Sequence, residues 1–253
     1  MKTLLSIVIP TLNEEKYLPL LLGDLAHQSR KDFEVIVVDG NSEDTTIQKA
    51  HDFKKKLTLH VEKVIRRNLS FQRNTGVDLA KGEYVLILDA DTRIDDSFVK
   101  TVTDEIKKNR ALIYLPIILP ITTKLLYRII FKISNLLVVL SQHWSRPLPT
   151  QAAMIFNRDF FISLGGYRVH NTQDNKKYFP EDHDIMQRAK KTGVQAKALQ
   201  EVQVKVSQRR FDQRGALVIM FTYLISAIQM TLFGKMKNSR MDYEMGGHVY
   251  GHQ

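Results

Sequence analysis

An α/β fold with a mostly parallel central sheet flanked by helices is the class this 253-residue sequence predicts. Three observations predict it. Apolar runs of strand length recur as far as Leu88. Helical spacing fills the gaps between them. Polar and acidic residues stand directly after the runs, where ligands bind in sheets of this kind.

The first strand is Leu4–Pro10, LLSIVIP, and Thr11-Leu12-Asn13 turns after it. It is too short for a signal peptide and meets Asn13-Glu14-Glu15 at once, so it reads as a core strand. Leu18, Leu21, Leu22 and Leu25 then mark a helix. Phe33–Asp39 is a second buried strand, and after a Gly40-Asn41-Ser42 turn, Ser42 is a fitting N-cap for a helix to about Lys54. Leu57–Val64 alternates as a third strand. Phe71–Lys81 reads as a helix closed by Gly82. Val85–Leu88 form a fourth strand, ending at Asp89-Ala90-Asp91, and a helix follows from about Asp96 to Lys108.

Beyond residue 110 the texture changes. Ala111–Leu140 is mostly apolar, with Pro116 and Pro120 breaking its start, and reads as a helical insertion over about 111–142. Its helix, Thr122–Leu140, carries Lys124, Arg128 and Lys132 four apart on one face. Two readings fit: an interfacial membrane helix, or a core helix with one wet edge. Ala216–Phe233 is a second apolar helix, long enough to span a bilayer, yet striped by Thr222, Ser226 and Gln229. That stripe favours a helix lying in the interface or packing on a neighbour. One domain of residues 1–205 and an apolar, membrane-associating tail of 206–253 are the expected division.

Composition bounds the partners. Lys and Arg total 37 against 27 Asp and Glu, a net +10, which suits nucleic acid, an anionic membrane surface, phosphorylated ligands or a generally basic soluble surface. The chain has no cysteine, so disulfides and thiolate metal sites are excluded and a reducing compartment is favoured.

Asp89 and Asp91, at i and i+2, project to one side if the chain stays extended, and hard oxygen pairs suit Mg²⁺ or Mn²⁺ with substrate phosphates. A turn with Asp91 capping the next segment is the plainer alternative. Glu181, Asp182 and Asp184 crowd the first turn of a helix that Gly193 ends. The helix dipole accounts for part of that cluster, and three acids exceed what one cap requires. A carboxylate there can act as a general base. Arg209, Arg210 and Arg214 precede the second apolar helix and suit phosphate or anionic lipid.

Together, SIVIPTLNEEKYL (6–18), VIVVDGNSEDTT (35–46), RNTGVDLAKGEYVLILDADT (73–92), GGY (165–167) and EDHDIMQRAKKTG (181–193) resemble family 2 glycosyltransferases of the Rossmann-like GT-A fold, in order and approximate spacing. The resemblance covers about residues 4 to 200. It implies that Asp89 and Asp91 form the DxD motif, holding Mg²⁺ or Mn²⁺ on the diphosphate of a nucleotide sugar. Pro10, Thr11, Glu14 and Asp39 match the nucleoside pocket, and Arg73 and Asn74 the segment that approaches nucleotide or phosphates. Asp182 matches the base of inverting members. Arg209-Arg210-Phe211 looks like a degenerate form of the Q/R-x-x-R-W element of processive relatives, without its tryptophan; the sole tryptophan is Trp144.

The resemblance implies a metal-dependent inverting transferase of cell-envelope glycan or glycolipid synthesis. Its partners would be a nucleotide-sugar donor, a sugar or lipid-linked acceptor and a peripheral membrane surface, at the cytoplasmic face of the cell membrane. A nucleotidyltransferase is the rival enzyme, but the loop Pro10–Glu15 has neither glycine nor a basic residue. A basic nucleic-acid binder is the non-enzymatic alternative; no zinc spacing or RNP-like motif supports it. A degenerate scaffold would be expected to lack acids that are present here.

Overall fold

The computed structural model describes residues 3–150, 152–169, 181–207 and 229. Strands β1 (Leu5–Thr11), β2 (Phe33–Asp39) and β3 (Leu59–Lys63) alternate with helices α1 (Leu18–Ala26) and α2 (Thr46–His51). Helix α3 (Leu69–Leu79), strand β4 (Tyr84–Leu88), the short β5 (Thr92–Arg93) and helix α4 (Phe98–Asn109) follow. The later elements are β6 (Ile113–Pro120), α5 (Leu125–Ser141), β7 (Ala153–Asn157), α6 (Arg158–Ser163), α7 (Glu181–Lys191) and β8 (Lys197–Val206).

Among the described residues, eight strands join one sheet in the order β3-β2-β1-β4-β7-β6-β8-β5. The half from β3 to β4 is parallel, as βαβ alternation requires. The other half is mixed. β7 is antiparallel to both β4 and β6, and β6 runs parallel to β8. The sheet is therefore less parallel than the alternation of its first half suggests.

The apolar runs are continuous because helices cover both faces. Leu5, Ile7 and Ile9 point into one core with Leu18, Leu22, Val99 and Val102. Val8, Ile36 and Val85 point into the other with Val77, Phe156, Ile185 and Met186. Period-two alternation thus splits each strand between two buried layers.

Several local expectations change. Ser42 does not cap α2: that helix starts at Thr46, and Ser42 turns back to bind Asp39. Helix α3 is capped by Asn68, whose side chain accepts from the Phe71 N–H at 2.9 Å. Its end is at Ala80, and Gly82 is instead pressed against Ser6, where an added Cβ would meet the Ser6 nitrogen at 2.7 Å. Residues 113–120 form a strand inside the sheet rather than the start of a helical insertion. The pairing with β8 slips between Pro116 and Ile117, so the proline without an N–H sits at an irregularity in the ladder.

Helix α3 lies directly on β1 because position 76 has no side chain. A Cβ there would stand 2.2 Å from Val8 Cγ1 and 3.2 Å from Val38 Cγ2. Gly76→Ala is expected to destabilise by about 1–3 kcal/mol through overpacking. Urea unfolding monitored by circular dichroism reads that loss, and an unchanged midpoint would contradict the close contact.

Candidate active site

Parallel strands put their carboxyl ends on one edge, and β1 and β2 finish there in register, Thr11 opposite Asp39. Asp39 is fully buried. Its carboxylate accepts from Ser42 N–H at 2.8 Å, from Ser42 Oγ at 2.5 Å and from Thr11 Oγ1 at 3.3 Å. Three donors satisfy a charge that burial would otherwise make costly.

The two exit loops are tied to one another. Asn13, at φ 53°, donates its N–H to Ser42 Oγ and accepts from Glu43 N–H through Oδ1, both at 2.8 Å. The Glu14 N–H donates to Thr46 Oγ1 at 2.8 Å. From below, Gln72 Nε2 on α3 donates to Thr11 O at 2.8 Å and Val38 O at 2.9 Å. Pro10, Thr11, Glu14 and Asp39 are thereby brought to one buried rim.

Next along the same edge, β4 ends at Leu88 and the Asp89–Asp91 segment turns rather than staying extended. The Thr92 N–H donates to Asp89 O at 3.3 Å, and Thr92 Oγ1 donates to the same oxygen at 2.7 Å. The Asp89 N–H reaches Ala152 O at 3.1 Å, anchoring the turn to the chain entering β7. The Asp89 side chain keeps 33% of its surface exposed.

Arg73 is the centre of the site. It is 3% exposed and binds three carboxylates from two segments. Nη2 donates to Asp89 Oδ1 at 3.2 Å, and Nη1 to Asp182 Oδ1 at 3.1 Å and Glu181 Oε1 at 3.2 Å. Its guanidinium also lies 5.2 Å from the centre of the Tyr167 ring, a cation–π geometry. Arg73 Nε is buried without a hydrogen-bond partner among the described residues. Burial disfavours the charge on Arg73, and the anionic groups around it outweigh that and hold it protonated.

Asp182 is 9% exposed, in the first turn of α7. Burial raises its pKa from the usual carboxyl value to about 7, with Arg73 opposing and Glu181 reinforcing the shift. It is hydrogen-bonded to the Tyr167 side chain, and burial beside it drives the phenol well above its ordinary range. Tyr167 is held by Asn74, whose Nδ2 donates to Tyr167 O at 2.7 Å while Oδ1 accepts from Tyr167 N–H at 2.9 Å. Gly166, at φ 62°, allows this: a Cβ there would meet Asn74 Oδ1 at 2.8 Å. Asn74 therefore acts as a brace for Tyr167.

Asp184 does something else. It pairs with Arg188 at 2.8 Å and Arg168 at 3.2 Å, and Arg188 Nη2 donates to Gly166 O at 2.7 Å. This clamps the Gly-Gly turn to α7. His183 is buried, which lowers its pKa to about 4 and leaves it neutral near pH 7.

Sequence reasoning chose Asp182, Asp89 and Arg73, and the structure brings these together. It assigned no role to Glu181 individually, to Tyr167 beyond its place in a motif, or to Gln72. The acid triple and the aromatic after Gly-Gly were the available signals. Arg209, Arg210 and nearly all of Ala216–Phe233 lie outside the described residues.

A divalent cation fits the Asp89–Asp91 turn. Asp89 pairs with Arg73 at 3.2 Å and remains partly open, and Mg²⁺ or Mn²⁺ needs only one or two carboxylates when substrate phosphates complete its shell. Among the described residues no group of three His, Asp or Glu side chains could hold a metal by protein ligands alone.

Residues 6–165, more than half of the chain, match the family model for Glycosyl transferase family 2. The chain belongs to this family. Among curated relatives of this glycosyl transferase family 2 member is TarS of Staphylococcus aureus, a poly(ribitol-phosphate) beta-N-acetylglucosaminyltransferase. It is 37% identical over 99 residues, which are 38% of this chain and 17% of TarS. A PGL/p-HBAD biosynthesis glycosyltransferase of Mycobacterium tuberculosis is 41% identical over 88 residues, 34% of each chain. The matched stretches therefore span a minor part of these relatives. Among solved structures, TarS 1–349 with UDP-GlcNAc gives a TM-score of 0.63 at 23% identity, covering 81% of this chain and 58% of that one. The mannosyltransferase PcManGT of Pyrobaculum calidifontis, solved with GDP-Man and Mn²⁺, gives 0.70 at 20% identity, covering 93% and 65%. These likenesses establish the fold.

Proposed function

We propose that this family 2 member transfers a sugar, with inversion, from a nucleoside-diphosphate sugar to an acceptor hydroxyl or lipid phosphate in cell-envelope glycan or glycolipid synthesis. The observation that carries the reading is Arg73, which joins a carboxylate at the donor edge, Asp89, to a buried carboxylate whose pKa is about 7, Asp182. A general base works best with a pKa near the working pH.

The division of labour follows from position. The rim of Pro10, Thr11, Glu14 and Asp39 would receive the nucleoside, with Asp39 and Glu14 as hydrogen-bond acceptors. Asp89 and Asp91 would hold Mg²⁺ or Mn²⁺, which supplies charge neutralisation for the departing diphosphate. Arg73 would hold Asp89 and Asp182 in place through its two terminal nitrogens. Asp182 takes the proton of an acceptor hydroxyl as that oxygen attacks the anomeric carbon from the face opposite the leaving group. With a phosphate acceptor there is no proton to remove, and Asp182 and Tyr167 would orient it. Residues 1–205 would form the transferase unit and 206–253 its membrane-associating tail, with Arg209 and Arg210 as further anion contacts.

A thermal-shift series with UDP and GDP, with and without Mn²⁺, tests the donor side. At a hundredfold excess over Kd the fitting nucleotide should add about 2.7 kcal/mol of stability. That corresponds to a rise in Tm of roughly 5–10 °C for a chain of this size. The rise should need the metal and vanish in Asp89→Asn. A metal-independent response, or release of pyrophosphate instead of nucleoside diphosphate in product analysis, would sink the reading.

A further inference from the structure

Helix α5 has two apolar faces, and among the described residues only one is packed against the fold. Tyr127 and Val138 are buried against the body, and Asn135 between them receives the Ile118 N–H at 3.0 Å and donates to Ile118 O at 2.7 Å. At about 100° per residue, the opposite side of the helix carries Leu125, Leu126, Ile129, Ile133, Leu136 and Leu140. These six are between 46% and 68% exposed. Lys124, Arg128 and Lys132 run down one flank between the two faces.

The charge along this part of the sequence has one sign. Between Glu105 and Asp159 the sequence has no acidic residue, while Lys107, Lys108, Arg110, Lys124, Arg128, Lys132, Arg146 and Arg158 fall in the interval. An exposed apolar stripe this long is uncommon on a soluble surface. With the basic flank of Lys124, Arg128 and Lys132 it matches an anionic bilayer, in which apolar side chains enter the acyl boundary and basic ones meet headgroups.

The helix also begins at the reactive edge. β6 is antiparallel to β7, which is antiparallel to β4, so β6 and β4 point the same way. Pro120 at the end of β6 pairs with Val206, and Val206 pairs with Thr92, the residue after Asp91. Two strand spacings place Pro120 about 10 Å from Thr92. Ile121, 47% exposed, and Lys124 follow it.

We propose that the outer face of α5 lies in the surface of an anionic bilayer, with its N-terminal end beside the acidic turn. A lipid-linked acceptor in that leaflet is then delivered sideways to Asp182. The delivery step rests on the transferase reading; the docking does not.

Flotation of the full chain separates the two. Wild-type protein is expected to float with phosphatidylcholine–phosphatidylglycerol vesicles, weakly with phosphatidylcholine alone, and less in high salt. Ile133→Asp with Leu136→Asp should abolish flotation, and Arg128→Gln with Lys132→Gln should weaken it roughly 25-fold, at about fivefold for each basic residue. Circular dichroism should show all of them folded, because the substituted side chains are exposed. Flotation of the double-aspartate protein at the wild-type level overturns the proposal. So does a lipid-free dimer that this variant dissociates, which would assign the face to a second copy. Donor hydrolysis in solution should stay at the wild-type rate in every variant; its absence in all of them, wild type included, would count against the transferase reading and leave the docking result standing.

Discussion

Asp182→Asn is expected to lower kcat by about a thousandfold, the middle of the range for loss of a positioned general base. If the donor sits on Thr11, Glu14 and Asp39 as proposed, its binding by the thermal-shift measure should survive. The substitution is nearly isosteric, and Arg73 keeps Glu181 and Asp89 as partners. The wild-type pH profile carries the same information. With a pKa of about 7, Asp182 is mostly protonated in mildly acidic buffer. For a hydroxyl acceptor, kcat/KM should rise about tenfold per pH unit below that point and level off above it. A flat profile from pH 5 to 9, or a variant turning over at the wild-type rate, would remove Asp182 from the proton transfer.

The same carboxyl has an opposite effect on stability. Its folded pKa lies above the value near 4 of an unfolded aspartate, so the folded chain holds a proton that the unfolded chain releases. Its stabilising contribution is full below about pH 4 and is lost as pH rises through about 7. Activity and stability therefore move in opposite directions over that window as far as this residue governs them. Asp182→Asn should remove this component of the pH dependence.

Arg73→Met is expected to cost about 3–5 kcal/mol, the usual penalty for removing one partner from a buried ion cluster. For a chain of this size that lowers Tm by roughly 10 °C. Three carboxylates would be left facing one another around an apolar side chain, with Tyr167 stripped of its cation. Should that variant fail to fold, Arg73→Lys keeps the charge but not the fork that reaches Asp89 with one nitrogen and the acid pair with the other. It should fold with a smaller loss of Tm and a large loss of kcat. Scanning calorimetry with steady-state kinetics reads both; a lysine variant equal to wild type in each would show that charge alone suffices.

The parallel half of the fold was legible because β1, β2 and β4 are buried on both faces and read as unbroken apolar runs. β6 was hidden by Pro116 and Pro120, since proline argues against a central strand until a register slip accommodates it. β7 is five residues long, and its direction depends on partners distant in sequence. In the site, Asp39, Asp89 and Asp182 announce themselves as acids at element ends. The role of Tyr167 does not, because it consists of contacts with Arg73, Asn74 and Asp182 that exist only once α3 and α7 converge. Of the two geometries open to Asp89–Asp91, the turn prevails over the extended segment, because one carbonyl accepts twice from Thr92.

The cross-tied loops after β1 and β2 have a consequence for redesign. Gln72 fastens both strand ends, and Asn13, Ser42 and Thr46 fasten the loops to each other. Such a rim is pre-organised, so a guest base would meet it without first having to order the chain. Attempts to exchange one nucleotide for another should therefore meet rigid, all-or-none resistance there, whereas the turn beside Asp182, built on Gly165-Gly166 and the Arg188 clamp, offers the softer ground for changing what is modified.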